Sequence, residues 1–409
     1  PLFPPLGPAL RHRSRALALA LSGAAVLGAA FWEDVFGAAS VARRSPRFGY
    51  GPRGPANELG LRLPEGFRSR LVARGGEPVA GTGYRWHEAS DGMACFPADD
   101  GGWVLVSNAE VFEGGASAMR FTRDGELSSA YRILDGTTQN CSGCGTPWGT
   151  WLSCEEVMGG LVWECDPSGE RRALARPALG TFKHEAGAVD PRGGAIYLTE
   201  DLIDGALYRF TPRRWGDLTE GLLEVAVVAR GGRVSWHEVR DPAAKRVETR
   251  RQVKGATEFK RAEGIWHDDG VVYVATTADH RVHAYDIRRR RIEVIYDGLA
   301  PGDQPLLRVD ALTGTRAGEV FVCEDIATDE IDIGVIDRAG SVSKFLSATG
   351  RDHRGSELTG VTFDPSGTRM YFSSQRAFGD GLTPGPGAIY EVSGPFRGSR
   401  AFHRNSQSA

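Results

Sequence analysis

Short runs of β-branched, aromatic and small apolar residues recur along this chain. Each is followed by a polar or acidic cluster, a turn and a second such run, often closed by a D-x-x-G-type turn. Runs of that kind predict half-buried or fully buried strands. The paired runs are 103–110 with 118–121, 150–156 with 161–165, 195–201 with 206–210, 271–277 with 281–286, 319–325 with 333–337, and 369–375 with 388–392. Matching positions give the period. Asn108 to Cys154 is 46 residues, Cys154 to Thr199 is 45, Thr276 to Cys323 is 47 and Cys323 to Ser373 is 50. Thr199 to Thr276 is 77, which predicts an insertion within about 211–257.

Six such units predict an all-β chain folded as a six-bladed β-propeller over 61–396. One blade cannot bury both faces, so the ring must close. The segment Phe67-Arg68-Ser69-Arg70-Leu71-Val72-Ala73 is placed to add a strand to the last blade. Two β-sandwiches would not repeat one polar signal six times.

A second repeat lies upstream of the strands. It reads His87-Glu88-Ala89, Thr146-Pro147-Trp148-Gly149, His184-Glu185-Ala186, Ala262-Glu263-Gly264, Asp310-Ala311-Leu312 and Glu357-Leu358-Thr359-Gly360. If these segments open the innermost strands, Glu88, Glu185, Glu263, Asp310 and Glu357 face one mouth of the channel. The second unit offers Cys141 and the pair Glu155-Glu156 instead, at the end of a Gly/Pro-rich stretch and a short strand. A ring of carboxylates cannot stay ionised and close without cations. Oxygen ligands select Ca²⁺, and a thiolate adds a softer position suited to iron or zinc. Asp166, Asp190 and Asp364 sit in D-P-x-G turns and are expected to be structural.

Composition narrows the classes. The net charge of −3 among 409 residues gives no basic face for nucleic acid. Of six cysteines, Cys154, Cys165 and Cys323 fall in strand runs and are expected as small buried residues. Cys141 and Cys144 form the one C-x-x-C, with no second pair for a zinc ribbon; oxidised to a disulfide, they would remove the thiolate. Arg11, Arg13 and Arg15 precede an apolar run to Trp32 and the small residues Gly37-Ala38-Ala39. This reads as an export signal over 1–39 and predicts a periplasmic or extracellular protein. The run is similar to twin-arginine signals, with R-H-R-S-R in place of the arginine pair. Residues 40–60 read as a linker and 397–409 as a polar tail. No stable membrane span is expected in the mature chain.

The motifs N-C-S-G-C-G-T-P-W-G-T-W-L-S-C-E-E (140–156), K-H-E-A (183–186), T-E-D (199–201), F-K-R-A-E-G (259–264), C-E-D (323–325) and E-L-T-G-V-T-F-D-P-S-G (357–367) resemble the PhoX-type alkaline phosphatases. The similarity runs from about residue 48 to 396. It implies a six-bladed propeller that hydrolyses phosphomonoesters with a cluster of Fe³⁺ and Ca²⁺ and is exported by the twin-arginine route. It implies Cys141 as an iron ligand, Glu156, Glu185 and Glu263 as further ligands, and Arg261 as a phosphate contact. Asp325 and Glu357 complete the expected set with Glu155. Such a site uses cations to neutralise phosphoryl oxygens and a metal-bound oxygen as nucleophile, so Arg261, Cys141 and Glu263 are expected to carry the chemistry. The chain is short for that family, which predicts trimmed substrate loops. The expected protein is a monomer acting on a small phosphomonoester. The competing readings are a calcium-held binding propeller without catalysis, and a calcium-dependent lactonase or phosphotriesterase.

Overall fold

Each of the six repeats becomes one antiparallel blade in the computed structural model, which describes residues 49–399 apart from 327 and 381–382. The expected export signal, residues 40–48 of the linker and 400–409 of the tail lie outside the described residues. The innermost strands are Ser90–Pro97, Asn140–Gly145, His184–Asp190, Ala262–Asp268, Val309–Gly314 and Leu358–Phe363. Each blade then runs outward in chain order.

The closing strand lies where the pattern places it. Arg68–Arg74 pairs antiparallel with Ala388–Ser393 and so forms the outer edge of the sixth blade. A shorter strand, Leu61–Arg62, was not legible; it adds to the outer edge of the fifth blade. Residues 49–60 do not behave as the linker expected. Tyr50 packs edge-on against Phe67 and Phe345, and its hydroxyl donates to Glu319 at 2.6 Å. Arg53 pairs with the buried Asp332 at 2.7 Å.

The second strands explain why the repeat was visible. Trp103–Ala109 and Ala195–Glu200 are buried along their whole length, because a blade is covered on both faces by its neighbours. The core is therefore spread around the ring as clusters between adjacent blades. Val104 and Val106 of the first blade meet Trp151 and Cys165 of the second, and Val271 and Tyr273 of the fourth meet Val320 and Val322 of the fifth. Cys154, Cys165 and Cys323 are buried in these clusters.

The long interval in the third repeat is a fifth strand, Val234–Glu238, and the return segment after it. A short 3₁₀ turn, Thr249–Arg251, pins that segment. Buried Arg250 reaches Glu200 at 3.1 Å, and Thr249 shares a hydrogen bond with the Tyr208 hydroxyl.

Candidate metal centre at the channel mouth

The six inner strands share one defect. Each breaks register with its partner near its start: between Ser90 and Met93, Asn140 and Gly143, His184 and Gly187, Ala262 and Ile265, Val309 and Leu312, and Thr359 and Thr362. A bulge re-aims the side chain it carries. The residue following the first strand residue is Asp91, Cys141, Glu185, Glu263 and Asp310 in the first five blades, and Thr359 in the sixth. A small residue follows each, because neighbouring inner strands approach closely. A Cβ on Gly92 would lie 2.5 Å from Ser142 Cα, and one on Gly264 would lie 2.5 Å from the Asp310 carbonyl.

A second ring comes from the residue just past each second strand. Glu110, Glu156, Asp201, Thr277, Asp325 and Gln375 donate their N–H groups to the carbonyls of Ala89, Gln139, Lys183, Arg261, Arg308 and Glu357, at 2.9 to 3.3 Å. Four of those acceptor residues are left-handed: Ala89 at φ 46°, Gln139 at 42°, Arg261 at 51° and Arg308 at 46°. Non-glycine residues there cost on the order of 1 kcal/mol each, and such strain gathers at functional sites.

The two rings bring ligand atoms together. Asp91, Glu110 and Cys141 have ligand atoms within 4.8 Å of one another, as do Cys141, Glu156 and Glu185, and Asp310, Asp325 and Glu357. The first two groups share Cys141, whose thiol donates to Glu185 Oε1 at 3.1 Å. Glu185 Oε2 is buried with no hydrogen-bond partner. Four cations sit among these acids, Arg376 being 3.7 Å from Glu110. Lys183 Nζ lies 2.8 Å from Glu156 and 2.7 Å from Asp201. Arg261 reaches Asp201 at 2.8 Å, Glu263 at 2.6 Å and Asp325 at 3.3 Å, and Arg308 also holds Asp325.

Four cations do not neutralise this ring. Burial first, and then neighbouring carboxylates, push Glu156, Glu185, Glu263, Asp310 and Glu357 well above the usual carboxylate range. Burial and Glu110 raise Asp91 to about 7. Burial, with Asp91 and Glu185 beside it, likewise lifts the Cys141 thiol. Asp201 is the exception. Burial raises it, but hydrogen bonds with Glu156, Arg261 and Lys183 outweigh burial and hold it below the ordinary value.

A model of the family "Alkaline phosphatase PhoX" matches residues 113–162 and 157–377. The chain belongs to the alkaline phosphatase PhoX family. Its activity class is therefore that of a phosphoric monoester hydrolase, and the PhoX-like reading of the sequence stands. Among solved structures, PhoX of Pseudomonas fluorescens in complex with vanadate, a transition state analogue, is similar. It is 18% identical with a TM-score of 0.72, over 86% of this chain and 99% of that chain. A gluconolactonase from Xanthomonas campestris is 16% identical with a TM-score of 0.50, over the same shares of the two chains. Both likenesses show the propeller fold. No match was found among curated proteins.

Within the PhoX-family propeller the expected ligands divide. Cys141, Glu156 and Glu185 meet in one group and Asp325 and Glu357 in another, while Glu263 lies between them beside Arg261. Glu155 does not join them. Its oxygens accept the N–H groups of Thr138 and Leu161 at 3.2 and 3.1 Å, which fixes the turns flanking the second blade's mouth. Adjacent residues on a strand point to opposite faces, and only Glu156 clears the strand end. Glu88 is exposed; the first blade contributes Asp91 instead. The H-E-A likeness between 87–89 and 184–186 is out of register by three residues, since Ser90 is the partner of His184 in the ring. Cys144 is a free thiol packed beside Gly187, away from Cys141, and all six cysteines are free. Asp91, Glu110, Lys183, Asp201 and Arg308 escaped the sequence reading as site residues. The signal available was an acid, or Cys141, followed by a small residue at the start of each inner strand.

Below the rings the channel continues as a cavity of about 210 Å³ lined by small residues such as Gly143, Gly187 and Gly264 together with Trp151, Trp266 and His267. Among the described residues, no helix is long and apolar enough to cross a membrane.

Proposed function

We propose that the protein is an exported, monomeric, metal-dependent phosphomonoesterase whose active site is this mouth, with Ca²⁺ and Fe³⁺ as its cofactors. The observation that carries the reading is Cys141, shared between two carboxylate groups and facing a buried carboxylate oxygen with no partner. Such an oxygen costs free energy that a cation recovers. The donor set fits the metals. A thiolate with Glu156 and Glu185 suits a ferric ion, and the all-oxygen set Asp310, Asp325 and Glu357 suits calcium. Glu263 lies between the two sets.

Bound there, the metals supply positive charge toward the phosphoryl oxygens and an activated nucleophile near neutral pH. The chain supplies the rest. To serve as a ligand Cys141 would have to lose its thiol proton, which now points at Glu185 Oε1. Arg261 and Arg308 present planar donor forks suited to phosphate oxygens. In the present arrangement Arg261 is spent on Asp201, Glu263 and Asp325. If Glu263 and Asp325 were held as ligands, two of its three partners would be withdrawn and part of its fork would be free to face substrate. Lys183 stays between Glu156 and Asp201 and holds the second-ring acids in place.

The test is hydrolysis of an aryl phosphate by protein whose iron and calcium are measured, before and after chelation, with Cys141→Ala and Glu263→Ala alongside. Activity lost on chelation and in both variants is the expected result. Protein carrying both metals that turns over no phosphate ester overturns the reading and favours a calcium-held binding propeller. Turnover of lactones instead points to the lactonase class.

A further inference from the structure

Three loops at the mouth repeat one another. Glu110-Val111-Phe112-Glu113-Gly114, Glu156-Val157-Met158-Gly159-Gly160 and Asp201-Leu202-Ile203-Asp204-Gly205 share the pattern acid, aliphatic, large apolar, any residue, glycine. Each joins the second and third strands of its blade. Each acid is a second-ring residue, anchored by the same backbone hydrogen bond. The aliphatic residue is half-buried and the glycine is buried in all three. In two of them a Cβ on that glycine would collide with the carbonyl of the residue just before the acid, Glu155 for Gly160 and Glu200 for Gly205. These are three copies of one built turn.

What each copy presents to solvent is a large apolar side chain. Phe112 is 85% exposed, Met158 59% and Ile203 62%, among the most exposed large apolar residues described. Each stands two residues from a second-ring acid. Isolated exposed apolar residues need no explanation, but the same exposed position filled three times around one site does. The matching loop positions of the fourth and sixth blades hold Asp279 and Ala377. The apolar residues thus occupy the arc of blades one to three. The guanidinium groups of Arg261, Arg308 and Arg376 belong to blades four to six.

We propose that Phe112, Met158 and Ile203 form the leaving-group side of the site and select phosphomonoesters whose alcohol is aryl or otherwise apolar. This rests on the phosphatase reading above. The phosphoryl group lies over the carboxylate groups at the centre of the mouth, with oxygens toward the arginine arc. The organic group lies across the opposite arc, where it covers side chains that otherwise face water.

The experiment uses the full metal-loaded protein and measures kcat/KM for 2-naphthyl phosphate and for glycerol 3-phosphate, in wild type and in the triple variant Phe112→Ser, Met158→Ser, Ile203→Ser. Comparing each variant with wild type on the same ester removes the difference in leaving-group reactivity. All three positions are exposed, so the fold tolerates the changes, and metal content and melting temperature verify this. The naphthyl-to-glycerol selectivity is expected to fall about tenfold, mostly through KM. The control Leu222→Ala, on an outer strand, keeps the wild-type ratio. A selectivity ratio unchanged in the triple variant overturns the inference while leaving the phosphatase reading intact. Binding of wild type to phosphatidylcholine vesicles, lost in the variant with selectivity unchanged, assigns the rim to a lipid surface and overturns it too. Absence of turnover of either ester by wild type removes the phosphatase reading and this one with it.

Discussion

Cys141 is the residue on which the most chemistry converges, because two carboxylate groups share it. Cys141→Ala is expected to lose bound iron, read by elemental analysis, and at least about a hundredfold in kcat. Cys141→Ser keeps the size but not the soft donor, and is expected to retain calcium while losing iron. Arg261 makes a different point. Its fork touches three carboxylates, and Arg261→Lys preserves charge but not the planar double donation. The expected result is a loss of about ten- to a hundredfold in kcat/KM with metal content unchanged. At this scale the sequence was partly legible. Cys141, Glu156, Glu185 and Glu263 stand in distinctive motifs, and the structure groups the first three. Lys183 stands in K-H-E-A with no sign of its role, because its partners Glu156 and Asp201 lie 27 and 18 residues away. Glu155 misled because the strand's last residue and the one after it look alike in a string, while the pleat turns them to different surroundings.

The bulged inner strand is the element that makes the site. It was not legible, since a register shift leaves no mark in an apolar pattern except the small residue that follows it. Those small residues are a strict requirement of packing. Gly264→Ala places a methyl against the backbone of the next blade, and is expected to lower stability by about 1–3 kcal/mol in denaturant unfolding. It is also expected to weaken metal binding by shifting Asp310. A surface change such as Leu222→Ala in the same measurement stays within about 0.5 kcal/mol. The second strands were legible for the opposite reason. They are buried almost throughout, and six such runs, four of whose five intervals are 45 to 50 residues, have few competing explanations.

At the scale of the whole molecule the acid ring sets the pH response. A carboxyl whose folded value is raised binds its proton more tightly folded than unfolded. Its contribution to stability is full below the unfolded value and is lost as pH rises through the folded one. For Asp91 that window runs from about 4, the unfolded value, to about 7. The other raised acids extend it upward. Metal-free protein is therefore expected to melt at progressively lower temperature from pH 5 to pH 8, roughly. Added calcium is expected to raise the melting temperature more at the upper end, because cations replace the missing protons. A calcium effect independent of pH in calorimetry runs against the ring acting as one electrostatic unit. The closing strand was legible as the segment 67–73, and the short strand at Leu61–Arg62 was not, because two residues carry no period.

The pairing of Arg68–Arg74 with Ala388–Ser393 also sets an order of events during synthesis. The strand that precedes the first blade waits for the third strand of the sixth. Asp91, on the first blade, takes hydrogen bonds from Thr359 and Gln375 on the sixth, at 2.9 and 2.5 Å. A ribosome-bound chain lacking its last blade leaves Asp91 without Thr359 and Gln375, and has neither Glu357 nor a closed ring around the cluster. The group of Asp310, Asp325 and Glu357, and the closed ring around it, thus exist only once the sixth blade is made.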